Sequence, residues 1–281
     1  MKTPWITLTL LALLCFAGVE PASATTWGEV EKACPLCDTT ETYHAPVSWG
    51  SYIYRRPSRL QLVFFPVTSP RAIYSCTGCR YSGLIWDFKR ELTKEQKEAL
   101  TKALAKVVIE VEEPTEDEAE NPPLPYVRMD PLKKLEVAAQ IYEVLEVEDE
   151  ARSHLYRAFA YHALMGRNEK ALEQAATKCI EVTKRVVADP KLEGKRKEGL
   201  VILGAMERLR KNWDAADAHL QEAIKTTFVV ADNPSASKNG DEFLGKLAVE
   251  LRELVAKERA QKEEAPKKEE APKKEEAPKK D

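Results

Sequence analysis

Apolar residues fall into three regimes along the chain. They are nearly continuous from Ile6 to Val19, mixed with prolines and polar residues from Trp27 to Arg90, and periodic from Met129 to about Ala260. The last regime recurs at three- and four-residue intervals, the signature of amphipathic helices. Leu135, Ala138, Ala139 and Tyr142 predict one helix, and Leu155, Ala158, Phe159 and Ala163 the next. Leu172, Ala175, Cys179, Ile180, Val186 and Val187 predict a third, and Phe243, Leu247, Leu251, Leu254 and Val255 the last. The breaks are short and polar, as at Gly166-Arg167-Asn168 and Lys211-Asn212, so consecutive helices are expected to be antiparallel neighbours. A further helix is predicted over residues 93–109. Thr93 and Gln96 form a capping-box pattern there, and Leu100, Ala103, Leu104, Val107 and Val108 make one stripe.

The middle regime reads differently. Aromatic and β-branched runs predict strands at about Val47–Tyr54, Leu60–Phe65 and Ala72–Ser75, separated by Arg56-Pro57-Ser58 and Ser69-Pro70. Residues 110–128 are acidic and contain Pro122, Pro123 and Pro125, a composition that reads as a linker unable to order itself. Residues 261–281 repeat Lys-Glu-Glu-Ala-Pro-Lys. A proline every six residues interrupts a helix and nothing large and apolar is present, so a disordered, dispensable tail is expected.

The continuous apolar run has a different meaning. Lys2 precedes it, Pro21 ends it, and Ala22-Ser23-Ala24 follows as a small-x-small cleavage site. This order predicts a signal peptide over residues 1–24 and an exported protein, periplasmic or extracellular. Cys15 follows Leu13 and Leu14, which no lipobox has, and is expected to leave with the signal. No later segment is long and apolar enough to span a bilayer, so no transmembrane segment is expected after cleavage. Net charge is only −3 over 281 residues, which gives no global argument for nucleic acid.

The cysteines carry the chemistry. Cys34-Pro35-Leu36-Cys37 and Cys76-Thr77-Gly78-Cys79 are two C-x-x-C knuckles with 38 residues between them. Two intervening residues let a tight turn aim both thiolates at one point, and two such turns complete a tetrahedral site. A structural zinc bound by Cys34, Cys37, Cys76 and Cys79 is therefore expected. Export leaves two structural disulfides as an alternative, and a redox-active C-x-x-C is a third reading. His44, seven residues past Cys37, is a substitute ligand to weigh. Cys179 lies on the apolar stripe of its helix and reads as core, as does His162 beside Ala158 and Phe159.

Leu200-x-x-Leu203-Gly204 followed by Ala216-x-x-x-Leu220-x-x-Ala223 is similar to the tetratricopeptide pattern, with Glu207 where an aromatic is usual. A second copy runs through Leu155, Ala158, Phe159, Gly166, Ala171 and Ala175. Such arrays commonly dock a peptide or protein partner. The fold class expected is thus α+β, mainly α. A zinc-ribbon-like module over 25–92 leads through a connecting helix (93–109) and a linker (110–128) to a tetratricopeptide-like domain over 129–260 and the tail. In their order, Cys34-Pro35-x-Cys37, Cys76-x-x-Cys79-x-Tyr81 and Asp87-Phe88 resemble an uncharacterised bacterial family, a conserved domain of unknown function. Asp38 and Arg80 stand where that family has glycine. The resemblance implies the fold and the zinc site and carries no activity.

No phosphate loop, G-x-S-x-G or HExxH is present, and no catalytic constellation emerges, so an enzyme is not expected. Arg55, Arg56, Arg59 and Arg71 are interleaved with aromatics such as Tyr52, Tyr54 and Phe64. For an exported protein this points to an anionic envelope polymer rather than nucleic acid, against the plainer reading of a solvated basic face. Three function classes follow: a protein-binding scaffold, which is preferred, an envelope-polymer-binding module, and a thiol–disulfide redox protein.

Overall fold

The computed structural model describes residues 25–49 and 67–269. The predicted signal peptide, the strand at Leu60–Phe65, Arg55, Arg56, Arg59, Tyr52, Tyr54, Phe64 and the tail beyond Glu269 lie outside the described residues.

The described chain is α+β and mainly α, with two small antiparallel strand pairs ahead of the helices. β1 (Thr25–Ala33) pairs with β2 (Thr40–Trp49), Ala33 opposite Thr40 at the tip. β3 (Ile73–Ser75) pairs with β4 (Ser82–Leu84). Of the predicted strand Val47–Tyr54, residues 47–49 fall in β2, which begins earlier at Thr40, and residues 50–54 lie outside the described residues; its partner β1 precedes the first knuckle. Polar and charged residues interrupt the apolar ones in both strands, and cross-strand pairing supplies the order that local pattern does not.

The capping box at Thr93 forms as expected. Gln96 N donates to Thr93 Oγ1 at 3.2 Å, and Thr93 N donates to Gln96 Oε1 at 3.0 Å. Helix α1 (Lys94–Leu104) ends five residues short of the predicted boundary and buries Leu100 and Leu104. Ala103 and Val108 of the predicted stripe are exposed.

Residues 110–128 are not a free linker. Val111 bridges to Met129, Glu112 N donates to Arg128 O at 3.1 Å, and Arg128 Nε donates to Pro123 O at 3.1 Å. Tyr126 and Met129 are each 1% exposed, and Ile109 is 2% exposed. A few large side chains anchored in a neighbouring core hold this acidic segment, a circumstance that average composition does not report.

Six helices follow: α2 (Pro131–Val144), α3 (Asp149–Met165), α4 (Glu169–Ala188), α5 (Arg196–Leu209), α6 (Trp213–Lys225) and α7 (Pro234–Glu269). Each packs mainly on its neighbour in the chain. Three turns end alike. Glu146, Arg167 and Lys211 take positive φ (49°, 53° and 61°), and the next residue's N–H reaches back to the last helical turn, as in Asn168 to Ala163 O and Asn212 to Glu207 O, both 2.9 Å. This is the Schellman closure of a helix C-terminus.

At the α5–α6 crossing, Leu200, Leu203, Gly204, Ala216, Leu220 and Ala223 are all buried together. A Cβ at Gly204 would lie 2.4 Å from Leu220 Cγ. Gly204→Ala is therefore expected to cost about 2 kcal/mol by overpacking, read as a lower denaturation midpoint. Glu207, where an aromatic is usual, is buried and accepts a hydrogen bond from Asn212 Nδ2 at 3.0 Å.

Helix α7 runs to Glu269, so residues 261–269 are helical rather than part of a disordered tail. Lys262 Nζ stands 4.8 Å from the centre of the Trp213 ring. Lys, Glu and Ala are good helix formers. Those propensities outweigh Pro266. No helix among the described residues is long and apolar enough to cross a membrane.

The strand pairs and the helices share their cores. Helix α2 gives Val137 and Ile141 to an aromatic core with Tyr43, Tyr74, Tyr81, Phe88 and Tyr126, and Leu135, Ala138 and Tyr142 to the helical core. Ile73 and Leu84 from β3 and β4 belong to the helical core. Across this seam Lys134 Nζ donates to Tyr126 O at 2.8 Å and Ile73 O at 3.0 Å. Tyr142 donates to buried Asp87 Oδ2 at 2.8 Å. Burial raises the Asp87 carboxyl above its usual range, opposed by hydrogen bonds from Tyr142, Arg90 and the Leu84 N–H.

Candidate metal centre

Each knuckle is the tip of a strand pair. Cys34–Cys37 follows β1 and precedes β2, and Cys76–Cys79 sits between β3 and β4. Their backbones repeat one design. Cys34 N donates to Thr39 O at 2.9 Å and Asp38 N to Cys34 O at 3.0 Å. Cys76 N donates to Tyr81 O at 2.9 Å and Arg80 N to Cys76 O at 3.0 Å.

The residue after each knuckle closes the turn at positive φ, 60° for Asp38 and 66° for Arg80. Glycine takes this conformation without strain, and neither residue is glycine. Asp tolerates the left-handed region better than Arg, and Asp38 also accepts from Lys97 Nζ at 3.1 Å. Arg80 has a buried Nη1 without a hydrogen-bond partner. Arg80→Gly is accordingly expected to stabilise the fold by about 1 kcal/mol, with Asp38→Gly close to neutral. Urea denaturation of the two variants side by side checks the difference.

The four sulfurs converge. Cys34 Sγ lies 3.5 Å from Cys79 Sγ, and Cys37 Sγ lies 3.6 Å from Cys76 Sγ. All four ligand atoms fall within 4.8 Å of one another. A tetrahedron with metal–sulfur bonds of about 2.3 Å has S···S edges of about 3.8 Å, whereas a disulfide needs about 2.05 Å. All four cysteines are free thiols. The spacing is thus compatible with a metal ion. Hydrogen bonds from Cys34 and Cys79 hold the Cys76 thiol far below its usual range, while Cys34 is driven far above it by hydrogen bonding to Cys76 and Cys79 and by burial. Neighbouring thiolates repel, and a cation between them relieves that repulsion.

Glu41, which the sequence did not single out, braces the second knuckle from β2. Its Oε1 accepts from Thr77 N at 3.0 Å and Thr77 Oγ1 at 2.6 Å. Tyr43, two residues on and so on the same face of the strand, donates to Glu41 Oε2 at 3.1 Å. Behind it Tyr43 stacks on Tyr74 with ring centres 4.5 Å apart, and Tyr126 closes against both. The two hairpins are thus held against each other by a carboxylate in front and an aromatic cluster behind. Alternation along β2 is the one sequence signal that could have paired Glu41 with Tyr43.

The other candidates stand apart. His44 takes no part in the sulfur cluster. Its backbone N donates to Tyr126 Oη at 2.9 Å and its carbonyl accepts from Tyr74 Oη at 2.6 Å. His162 is buried with Nε2 3.3 Å from Val67 O, and burial lowers its pKa to about 4. Cys179 is fully buried in the helical core. Arg71 is exposed, with its carbonyl accepting from Tyr126 Oη at 2.9 Å. No protein-family model, no curated protein and no solved structure matches this chain.

Proposed function

We propose that this chain is an exported, non-enzymatic scaffold, in which a structural zinc ties two hairpins together and the helical hairpins dock a protein or peptide. One observation carries the reading: four free cysteine sulfurs within 4.8 Å, delivered by two knuckles of the same backbone design. An all-cysteine set of four leaves no open coordination position, which is the mark of a structural rather than a catalytic zinc site. Consecutive antiparallel hairpins with close small-residue crossings, similar to tetratricopeptide units, support the docking half.

Metal analysis of protein purified from the exported fraction tests the reading. About one zinc per chain is expected; a metal-free protein with two disulfides would sink it. Glu41 gives a finer test. In Glu41→Gln an amide replaces an oxygen that accepts from Thr77 or Tyr43. The second knuckle loses its brace, and zinc affinity is expected to fall on the order of tenfold in a competition titration with a chromophoric chelator.

A further inference from the structure

We propose that the four-cysteine centre is also a modification site for peroxide-class oxidants, which convert it into two disulfides running between the knuckles, Cys37 to Cys76 and Cys34 to Cys79. This goes beyond the zinc reading, because it concerns the sulfurs whether or not a metal lies between them.

The pairing follows from distance and exposure together. The short contacts cross from one knuckle to the other, 3.6 Å for Cys37–Cys76 and 3.5 Å for Cys34–Cys79. Each pair joins one reachable sulfur to one buried partner. Cys37 is exposed and Cys79 half-buried, whereas Cys76 is 0% and Cys34 1% exposed. An open cleft of about 370 Å³ runs past Cys37, Cys79, Gly78, Leu36 and Leu104, and brings solvent to the two reachable cysteines. Accessible thiolates are oxidised first, and the nearest thiol then resolves the product.

The chemistry balances with the peroxide as electron acceptor. The Cys37 thiolate attacks one peroxide oxygen. An S–O bond forms, the O–O bond breaks, and hydroxide leaves. The Cys76 thiolate then attacks the oxidised sulfur of Cys37. An S–S bond forms, the S–O bond breaks, and a second hydroxide leaves. Two thiolates have lost two electrons, the peroxide has gained them, and two protons from solvent turn both hydroxides into water. Cys79 and Cys34 repeat the sequence with a second peroxide. The four sulfurs would then offer no thiolate to a metal ion, while two covalent bonds keep the hairpins together.

The sequence supplies a direct readout. Trypsin leaves both cysteines of the first knuckle on peptide 33–55 and both of the second on peptide 72–80. Bonds between the knuckles link these two peptides, and bonds within a knuckle leave them separate. The full exported chain is assayed for zinc, treated with limiting hydrogen peroxide, alkylated and digested without reduction. The linked peptide is expected as the main product, with fragmentation pairing Cys37 with Cys76 and with zinc lost in step. Cys179 is expected to stay alkylatable after denaturation. Separate peptides carrying internal disulfides, or sulfinic acids without a link, would overturn the inference. Protein already oxidised on purification is read by the same map. A chain that purifies without zinc yet gives the linked peptide refutes the zinc reading and keeps this one; a zinc-loaded chain that gives separate peptides does the reverse.

Discussion

If the four-cysteine centre holds zinc as proposed, stripping the metal from the purified chain, or replacing Cys76 by Ser, is expected to destabilise the helices as well as the hairpins. Structural zinc in small modules contributes on the order of 10–16 kcal/mol of apparent binding free energy at neutral pH, comparable to the whole stability of a domain. The hairpins here are short, and β3 and β4 are three residues each. On the zinc reading, their order is expected to depend on the centre at their tips. The effect cannot stay local, because α2 has one face in each core: Val137 and Ile141 toward Tyr43 and Tyr126, Leu135 and Ala138 toward the later helices. Freeing the hairpins exposes Ile73 and Leu84, which belong to the helical core. In a thermal melt followed by the helical far-UV signal, chelation is expected to shift the midpoint downward by well over ten degrees, using the usual conversion of about 4 °C or less per kcal/mol for a chain of this size. Cys76→Ser changes little in volume, so the same shift in that variant traces to lost ligation rather than to a cavity. An unmoved helical transition after complete zinc removal would show the two cores to be independent.

The parts of the fold that were legible in the sequence are those encoded locally. The Thr93–Gln96 box and the helical stripes after Met129 depend on neighbours a few positions away, and the small residues at the α5–α6 crossing meet across one short turn. The knuckles were legible because two-residue spacing is itself the geometry. What could not be read depends on distant partners. β1 is ordered by β2, and residues 110–128 are ordered by Tyr126, which reaches Tyr43 and Tyr74 across more than fifty positions of chain. Glu41 looks like one more surface acid until Thr77 is placed beside it. The glycine positions filled by Asp38 and Arg80 looked like departures from the resembling family. Both take positive φ, a demand of the turn that neither side chain announces.

Lys134→Met is expected to lower stability by about 3 kcal/mol, although it replaces a buried charge with a side chain of similar length and apolar character. Lys134 is fully buried. Its Nζ donates to Tyr126 O at 2.8 Å and Ile73 O at 3.0 Å, with Pro70 O at 3.4 Å, and lies 5.4 Å from the centre of the Tyr126 ring. Pro70 O keeps the Ile73 N–H as a donor, but methionine takes this donor from the buried Tyr126 and Ile73 carbonyls, at about 1–3 kcal/mol each before relaxation. The same lysine gives a pH signature. Burial lowers its pKa to about 7, against about 10.4 in the unfolded chain. Between those values the unfolded chain binds the extra proton, so the lysine's contribution to stability rises with pH, and it is flat below the folded pKa. One proton corresponds to about 1.4 kcal/mol per pH unit. Subtracting the variant removes the tyrosines and thiols that titrate in the same range. The wild-type advantage over Lys134→Met, measured by urea denaturation at pH 6.5 and pH 9, is therefore expected to grow by roughly 2 kcal/mol. A difference that stays flat across that interval would mean that the three carbonyls keep the ammonium charged throughout, and that the seam between the hairpins and α2 is held by an ion rather than by an amine.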